Sequence, residues 1–284
     1  MKKITLTIDE SLDGARVEAI LKLHLEMSNA LITRLKRTDG AILICGKVAR
    51  AIDRVSSGDT LEIIIHEKKS NIEKWDFPLD VLYEDEDVIA VNKPRQMPTH
   101  PSRWHTDKTL LNAVAHYLKN SEGFHIITRL DKDTSGVVLI AKNRHSAKIL
   151  TEGIRDMKKE YVAVVNGVPE PENGTIDRPI AREGNTIKRC VREEGKSALT
   201  HYVVEEKKGE FTIVRLFPVT GRTHQLRVHL SHIGCPIYGD SMYGAPQMGE
   251  RTLLHAKRLE FIHPIKKEEM VIEAPLPADI KRRL

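Results

Sequence analysis

The stretch Thr128-Arg129-Leu130-Asp131-Lys132-Asp133-Thr134-Ser135-Gly136 runs directly into the apolar run Val137-Val138-Leu139-Ile140-Ala141. Polar, turn-forming residues that end in glycine and lead into β-branched residues read as a loop delivering the chain into a buried strand. An aspartate between an arginine and a turn, just before such a strand, is held rigidly at the edge of a domain. The simplest account of Asp131 and Asp133 is that they cap the turn through side-chain to backbone hydrogen bonds. A calcium loop is the second account, because Asp131-x-Asp133-x-Ser135-Gly136 matches the first half of an EF-hand. That loop needs a bidentate glutamate at its twelfth position, and Lys142 stands there, so the account fails.

Outward from this loop, Val88–Val91, Tyr161–Val165 and Phe211–Phe217 are further apolar or alternating runs of strand length. A few helical stretches lie between them without regular strand–helix alternation. The pattern predicts a mixed α+β unit over residues 79–284, built on a mainly antiparallel sheet with flanking helices. Residues 67–78 are polar and without period, which reads as a linker. Residues 1–66 read as a small separate α/β unit. Ile4, Leu6 and Ile8 alternate as a strand, and apolar residues recur at helical spacing from Val17 to Leu35, with Ser28 placed to cap a second helix. Gly40 and Gly46 bracket a short strand, and Ser57-Gly58-Asp59 turns the chain into a last strand at Leu61–Ile65.

The 284 residues are 40% hydrophobic and 30% charged, with a net charge of +5. That suits a soluble protein, and no apolar run approaches membrane-spanning length. The start has no apolar signal region and the three cysteines are widely spaced, which predicts a reduced, cytoplasmic protein. Six basic residues (Arg34, Lys36, Arg37, Lys47, Arg50, Arg54) face two acids between positions 34 and 54, and three arginines face none from Arg215 to Arg227. Two such clusters in one chain point to a polyanionic partner. No glycine-rich phosphate loop, dinucleotide fingerprint or HExxH motif is present, so neither nucleotide cofactor nor metal is expected. His229, His232 and Cys235 recur at a spacing that could present metal ligands on one helical turn, which keeps a metal-dependent hydrolase as a competing class.

Arg129-Leu130-Asp131-x-x-Thr134-Ser135-Gly136 resembles the signature of the RluA family of pseudouridine synthases. Matching stretches follow in order: Lys159 to Gly167, Gly221 to His229, Tyr238-Gly239-Asp240 with Tyr243-Gly244, Leu254-His255-Ala256 and Phe261-x-His263-Pro264. Upstream, Val91-Asn92-Lys93-Pro94 and His100-Pro101 also fit, while Thr128 and Gln96 depart from the residues usual in the family. The front unit, through Arg16-Val17-Glu18, Ser28, Gly40, Gly46-Lys47-Val48 and Gly58-Asp59, resembles the RNA-binding domain named after the fourth protein of the small ribosomal subunit.

The resemblance implies a cofactor-free isomerase that converts uridine to pseudouridine in structured RNA, working as a monomer. Large-subunit ribosomal RNA is the expected substrate and transfer RNA the alternative. It implies Asp131 as the catalytic carboxylate, Arg222 as the cation paired with it, and Tyr161 stacked on the uracil and later taking up its proton. Arg129 would fill the space of the flipped base, and Leu254 would wall the site. Lys159, His224, Gln225 and Arg227 would contact RNA, as would Arg16, Lys36, Arg37 and Lys47 of the front unit. Tyr161 has an ordinary reading as well, a strand aromatic sharing one face with Ala163 and Val165. A non-catalytic RNA-binding or ribosome-assembly module remains the alternative of another class, and it gives no reason for Asp131, Tyr161 and Arg222 to occur together.

Overall fold

The computed structural model describes residues 2–66, 72–102, 106–119, 123–244 and 251–283. In the front unit, β1 (Lys2–Thr7) leads to α1 (Val17–Ala19), which widens into a π-helical turn over Ile20–His24, and then to α2 (Asn29–Arg37). Ser28 Oγ accepts from Leu31 N at 3.1 Å and so caps α2 as its position predicts. Next come β2 (Ile42–Ile44), β3 (Lys47–Val48) and β4 (Thr60–Ile65), which with β1 form an antiparallel sheet in the order β1-β4-β2-β3. Alternation on β4 turns Leu61, Ile63 and Ile65 inward onto Val17, Leu21, Ile32 and Leu35. This unit therefore has a hydrophobic cluster of its own.

The larger unit begins with β5 (Val81–Glu84), β6 (Val88–Lys93), α3 (Leu110–Tyr117), β7 (His125–Ile126), β8 (Ser135–Ala141) and α4 (Arg144–Glu152). It continues through β9 (Lys158–Asn166), β10 (Asn173–Asp177), the hairpin β11 (Ile180–Arg182) and β12 (Arg189–Val191), β13 (Leu199–Lys208) and β14 (Phe211–Pro218). The chain closes with α5 (Gln225–His232), β15 (Leu254–Ile262), β16 (Glu269–Glu273) and α6 (Ala278–Lys281). Ten strands form one sheet in the order β10-β13-β14-β9-β15-β8-β6-β5, with β16 beside β15 and β7 beside β8. Every pairing is antiparallel except β15 with β8. The expected mixed, mainly antiparallel α+β architecture is the one observed.

Helices explain why β6 and β8 are apolar without interruption: both faces are covered. Val88, Ala90, Val137 and Leu139 pack toward Ala147 and Leu150 of α4, while Ile89, Val91, Val138 and Ile140 pack toward Leu110 and Val114 of α3. The parallel contact of β8 with β15 sets Gly136 opposite Ala256. Gly136 has φ +115°, and a Cβ there would lie 2.2 Å from the Ala256 carbonyl oxygen. Only glycine fits, and the loop before it is thereby anchored on the central strand.

Part of the predicted linker, residues 67–71, lies outside the described residues. Residues 72–78 carry no regular structure but are not free. Trp75 and Phe77 pack on each other and join the cluster under α3, and Asn112 Nδ2 donates to the Glu73 carbonyl at 2.8 Å. Two aromatics in a polar run are enough to fasten it. No helix among the described residues is long and apolar enough to cross a membrane.

Candidate active site

A cavity of about 270 Å³ opens where the loop before β8 meets the loop before α5 and the face of β9. Arg129, Asp131, Lys159, Tyr161, Arg222, His224, Gln225, Arg227 and Leu254, drawn from four separate stretches of sequence, all line it. The loop carrying Asp131 is clamped from below. Thr99 Oγ1 donates to the Leu130 carbonyl at 2.7 Å, Thr128 Oγ1 accepts from Leu139 N at 2.9 Å, and Thr134 N donates to the Asp131 carbonyl at 3.2 Å. Lys93, fully buried, donates from Nζ to the carbonyls of Pro94 (2.9 Å), Met97 (2.8 Å) and Lys132 (3.2 Å). Burial draws its pKa down to about 7, against the pull of Asp131 and Asp133 toward the charged form. Gln96, in the same turn, keeps a left-handed φ of 60°, the conformation glycine would adopt without strain.

The cation beside Asp131 is Arg227, not Arg222. Arg227 Nη1 lies 3.4 Å from Asp131 Oδ2, while its Nε and Nη2 grip both oxygens of the buried Asp240 at 2.7 and 2.8 Å. The Tyr243 ring lies 5.0 Å from its guanidinium carbon. Desolvation opposes the charge of Arg227, but Asp240 and Asp131 outweigh it and its pKa is raised. This division of labour is chemically sensible. The bidentate bond to Asp240 fixes the guanidinium, and the long contact of Nη1 to Asp131 Oδ2 supplies field while engaging only one of the two carboxylate oxygens.

Arg222 is exposed at the rim, where its Nε donates to the Ser197 carbonyl at 2.8 Å. Gln225 is also not placed for RNA. Its Oε1 accepts from Thr220 Oγ1 and Arg222 N, and its Nε2 donates to the Leu199 carbonyl and Thr200 Oγ1. Being buried with its hydrogen bonds made, it shapes the loop before α5. Arg227, expected among the RNA contacts, is likewise enclosed and held by carboxylates. His224 begins α5 in a left-handed conformation, φ 57°, with Nδ1 2.7 Å from Tyr243 Oη.

Tyr161 is both a strand aromatic and a cavity wall: it packs in the clusters under α3 and α5 and lines the opening. Burial, and then the charge of Asp131, push its phenol pKa up, so it is protonated at neutral pH. Leu254 is buried and does both jobs too. Arg129 is exposed at the lip, and among the described residues Lys159 Nζ reaches only the Ile154 carbonyl, at 3.4 Å. In the front unit Arg16, Arg37 and Lys47 are exposed, whereas Lys36 is paired with Glu18 at 2.6 Å.

The metal reading of His229, His232 and Cys235 does not survive. His229 has its two ring nitrogens on Thr200 Oγ1 (2.9 Å) and the Arg178 carbonyl (3.0 Å), and Cys235 is buried in the cluster under α5. No cluster of metal-ligating side chains occurs among the described residues.

Comparison with known proteins agrees with this geometry. Residues 87–232 match the family described as RNA pseudouridylate synthase. An RNA pseudouridine synthase of Bacillus subtilis, YjbO, is 36% identical over 91% of this chain and 95% of its own length. Ribosomal large subunit pseudouridine synthase D of Escherichia coli K12 is 36% identical over 98% of this chain and 92% of its own. Among solved structures, the human protein RNA Pseudouridylate Synthase Domain Containing 4 superposes with a TM-score of 0.61 at 27% identity, over 71% of this chain and 90% of that one. With the matched segment running from the strand beneath the Asp131 loop to the end of α5, the chain belongs to the RNA pseudouridylate synthase family.

Proposed function

We propose that this enzyme isomerises uridine to pseudouridine in folded large-subunit ribosomal RNA, with Asp131 as the reacting carboxylate. The observation that carries the proposal is the convergence of Asp131, Tyr161 and Arg227 in one cavity that is open to solvent and large enough for a flipped base. The reaction breaks the glycosidic bond, turns the base and rejoins it through carbon 5. It is redox-neutral and imports no group, so nothing in it calls for a cofactor. A carboxylate supports it by attacking the nucleoside or by removing a sugar proton. Both routes need Asp131 ionised and aimed, which is the part assigned to Arg227.

Tyr161 offers its ring to the uracil. Its phenol is a base only when deprotonated, and the charge of Asp131 opposes that. We therefore place proton uptake by Tyr161 after Asp131 has been neutralised, by ester formation or by taking the sugar proton, and after the phenol has passed its own proton to water in the open cavity. Arg129, on the exposed lip, is positioned to stack in the gap the flipped uridine leaves. The choice of ribosomal RNA rests on the relatives named as large-subunit synthases, which align over nearly the whole chain. The front unit, with Arg16, Arg37 and Lys47 exposed, is assigned to the RNA backbone.

Mapping pseudouridines in total RNA from cells with and without the gene tests the proposal. One or a few large-subunit positions should lose the modification and regain it on complementation. An unchanged ribosomal RNA map would refute the substrate assignment.

A further inference from the structure

A second cleft, of about 100 Å³, lies where the two units meet. Ser28, Ala30 and Arg34 of the α2 segment line one side, and Arg144, His145 and Lys148 of α4 line the other. Ser28 is the cap of α2, and Arg144 and His145 are the first two residues of α4. Two helix N-termini, each carrying a partial positive charge, thus open on one small space.

Two of the side chains there, Arg34 and His145, are left without partners. His145 is 3% exposed, yet neither ring nitrogen is hydrogen-bonded to another described residue, and its Nδ1 is fully enclosed. The Arg34 side chain likewise makes no hydrogen bond or ion pair with a described residue, and its Nη2 is enclosed. A buried guanidinium nitrogen without an acceptor is costly, and the His145 ring, neutral because burial lowers its pKa to about 4, still has one donor nitrogen to offer, so the two residues lining one cavity point to an absent acceptor. The nearby acids do not supply it. Glu26 pairs with Lys267 at 2.7 Å, Glu152 with Lys148 at 2.8 Å, and Asp87 is held by Asn143 Nδ2 and Ser146 Oγ at 2.9 and 3.1 Å. Lys148 also donates to the Glu26 carbonyl at 2.9 Å, tying the two units together beside the cleft.

We propose that this cleft binds a phosphate group of the RNA backbone, bridging the front unit and the catalytic unit. The inference rests on the proposed RNA substrate and adds a specific anchoring point to it. A phosphate brings several acceptor oxygens, which matches an arginine, a histidine and two helix starts. The cleft sits at the far end of β8 from Asp131. Seven residues of strand at about 3.3 Å each put it roughly 23 Å from the carboxylate. Only a folded RNA that reaches well beyond the target uridine spans both places.

Ethylation interference on a transcript bound by the full-length enzyme reads the site directly. Wild type should show one or two phosphates, distant from the target uridine, whose ethylation weakens binding. In Arg34→Gln those positions should fall silent while the rest of the pattern stays. Affinity should drop about three- to tenfold, and the slope of log affinity against log salt should decrease by about one. Ala30→Glu supplies a control for folding, because Ala30 is exposed and an acid in the first turn favours the helix. It should silence the same phosphates by repulsion. An interference pattern and salt slope unchanged in both variants overturn the proposal. So does inorganic phosphate that raises the melting temperature of wild type but not of Arg34→Gln while the RNA salt slopes stay equal, since the cleft would then hold a free anion. Pseudouridine formation by wild type is scored separately. Its absence contradicts the proposed function and leaves the cleft to be decided by the interference pattern.

Discussion

Two of the places where this chain offers positive charge are built in opposite ways. In the candidate active-site cavity the cation beside Asp131, Arg227, is enclosed, gripped on two nitrogens by Asp240 and covered by the ring of Tyr243. In the front unit Arg16, Arg37 and Lys47 stand in solvent over a small separate cluster. Chemistry needs a fixed field at one atom, and a buried, doubly anchored guanidinium provides it. Holding a polyanion needs only charge at roughly the right distance, which exposed side chains supply at little structural cost. Substitutions in the first place should therefore act sharply and singly, and those in the second weakly and additively.

The largest expected effect is that of Arg227→Gln. It leaves Asp240 buried without its partner, and removing one member of a buried ion pair typically costs about 3–5 kcal/mol of stability. Chemical denaturation should show that loss, together with collapse of turnover. Arg222→Gln, at the exposed rim, should lose no more than about 1 kcal/mol and keep most of the activity. Equal damage from the two would show that the static contact with Asp131 misidentifies the working arginine. Tyr161→Phe comes next. Loss of its hydroxyl, which makes no hydrogen bond with a described residue, should cost little stability, leave RNA binding intact because the ring remains, and stop release of product. Normal turnover by this variant would exclude the phenol as the final proton acceptor. The smallest effect belongs to the front unit. Arg37→Ala and Lys47→Ala should each lower the salt slope of RNA binding by about one at most, with the double variant near the sum. A single variant that abolishes binding would break the contrast between the two regions.

Much of this organisation is legible in the sequence, and the places where it is not share a cause. The Asp131 loop is legible because a local signal, turn residues running into an apolar strand, fixes both its conformation and its depth. The fold class follows from strands whose periods are local as well. Choosing between Arg222 and Arg227 is a different problem. Both sit in one acid-free stretch, and the choice is made by Asp240, thirteen residues past Arg227 and brought back beyond the end of α5. Asp240 lies in a segment noted for its resemblance, but nothing local marks it as an anchor. Lys93 is hidden in the same way: a lysine among apolar residues gives no hint that three loop carbonyls will surround its ammonium. The resemblance assigns Gln225 to the RNA, and only the folded loop shows its amide fully employed. The segment 72–78 was read from its polarity, whereas its two aromatics decide where it lies.

The central claim is that Asp131 performs the chemistry within a site otherwise built to hold it. Asp131→Asn tests this most directly, because the amide keeps the shape and is neither basic nor nucleophilic. Among the described residues its one ion pair is the 3.4 Å contact to Arg227, so stability and RNA affinity should change little. Single-turnover conversion of a ribosomal RNA transcript, with enzyme in excess, should yield no detectable pseudouridine. Conversion within tenfold of wild type would remove Asp131 from the reaction and contradict the account.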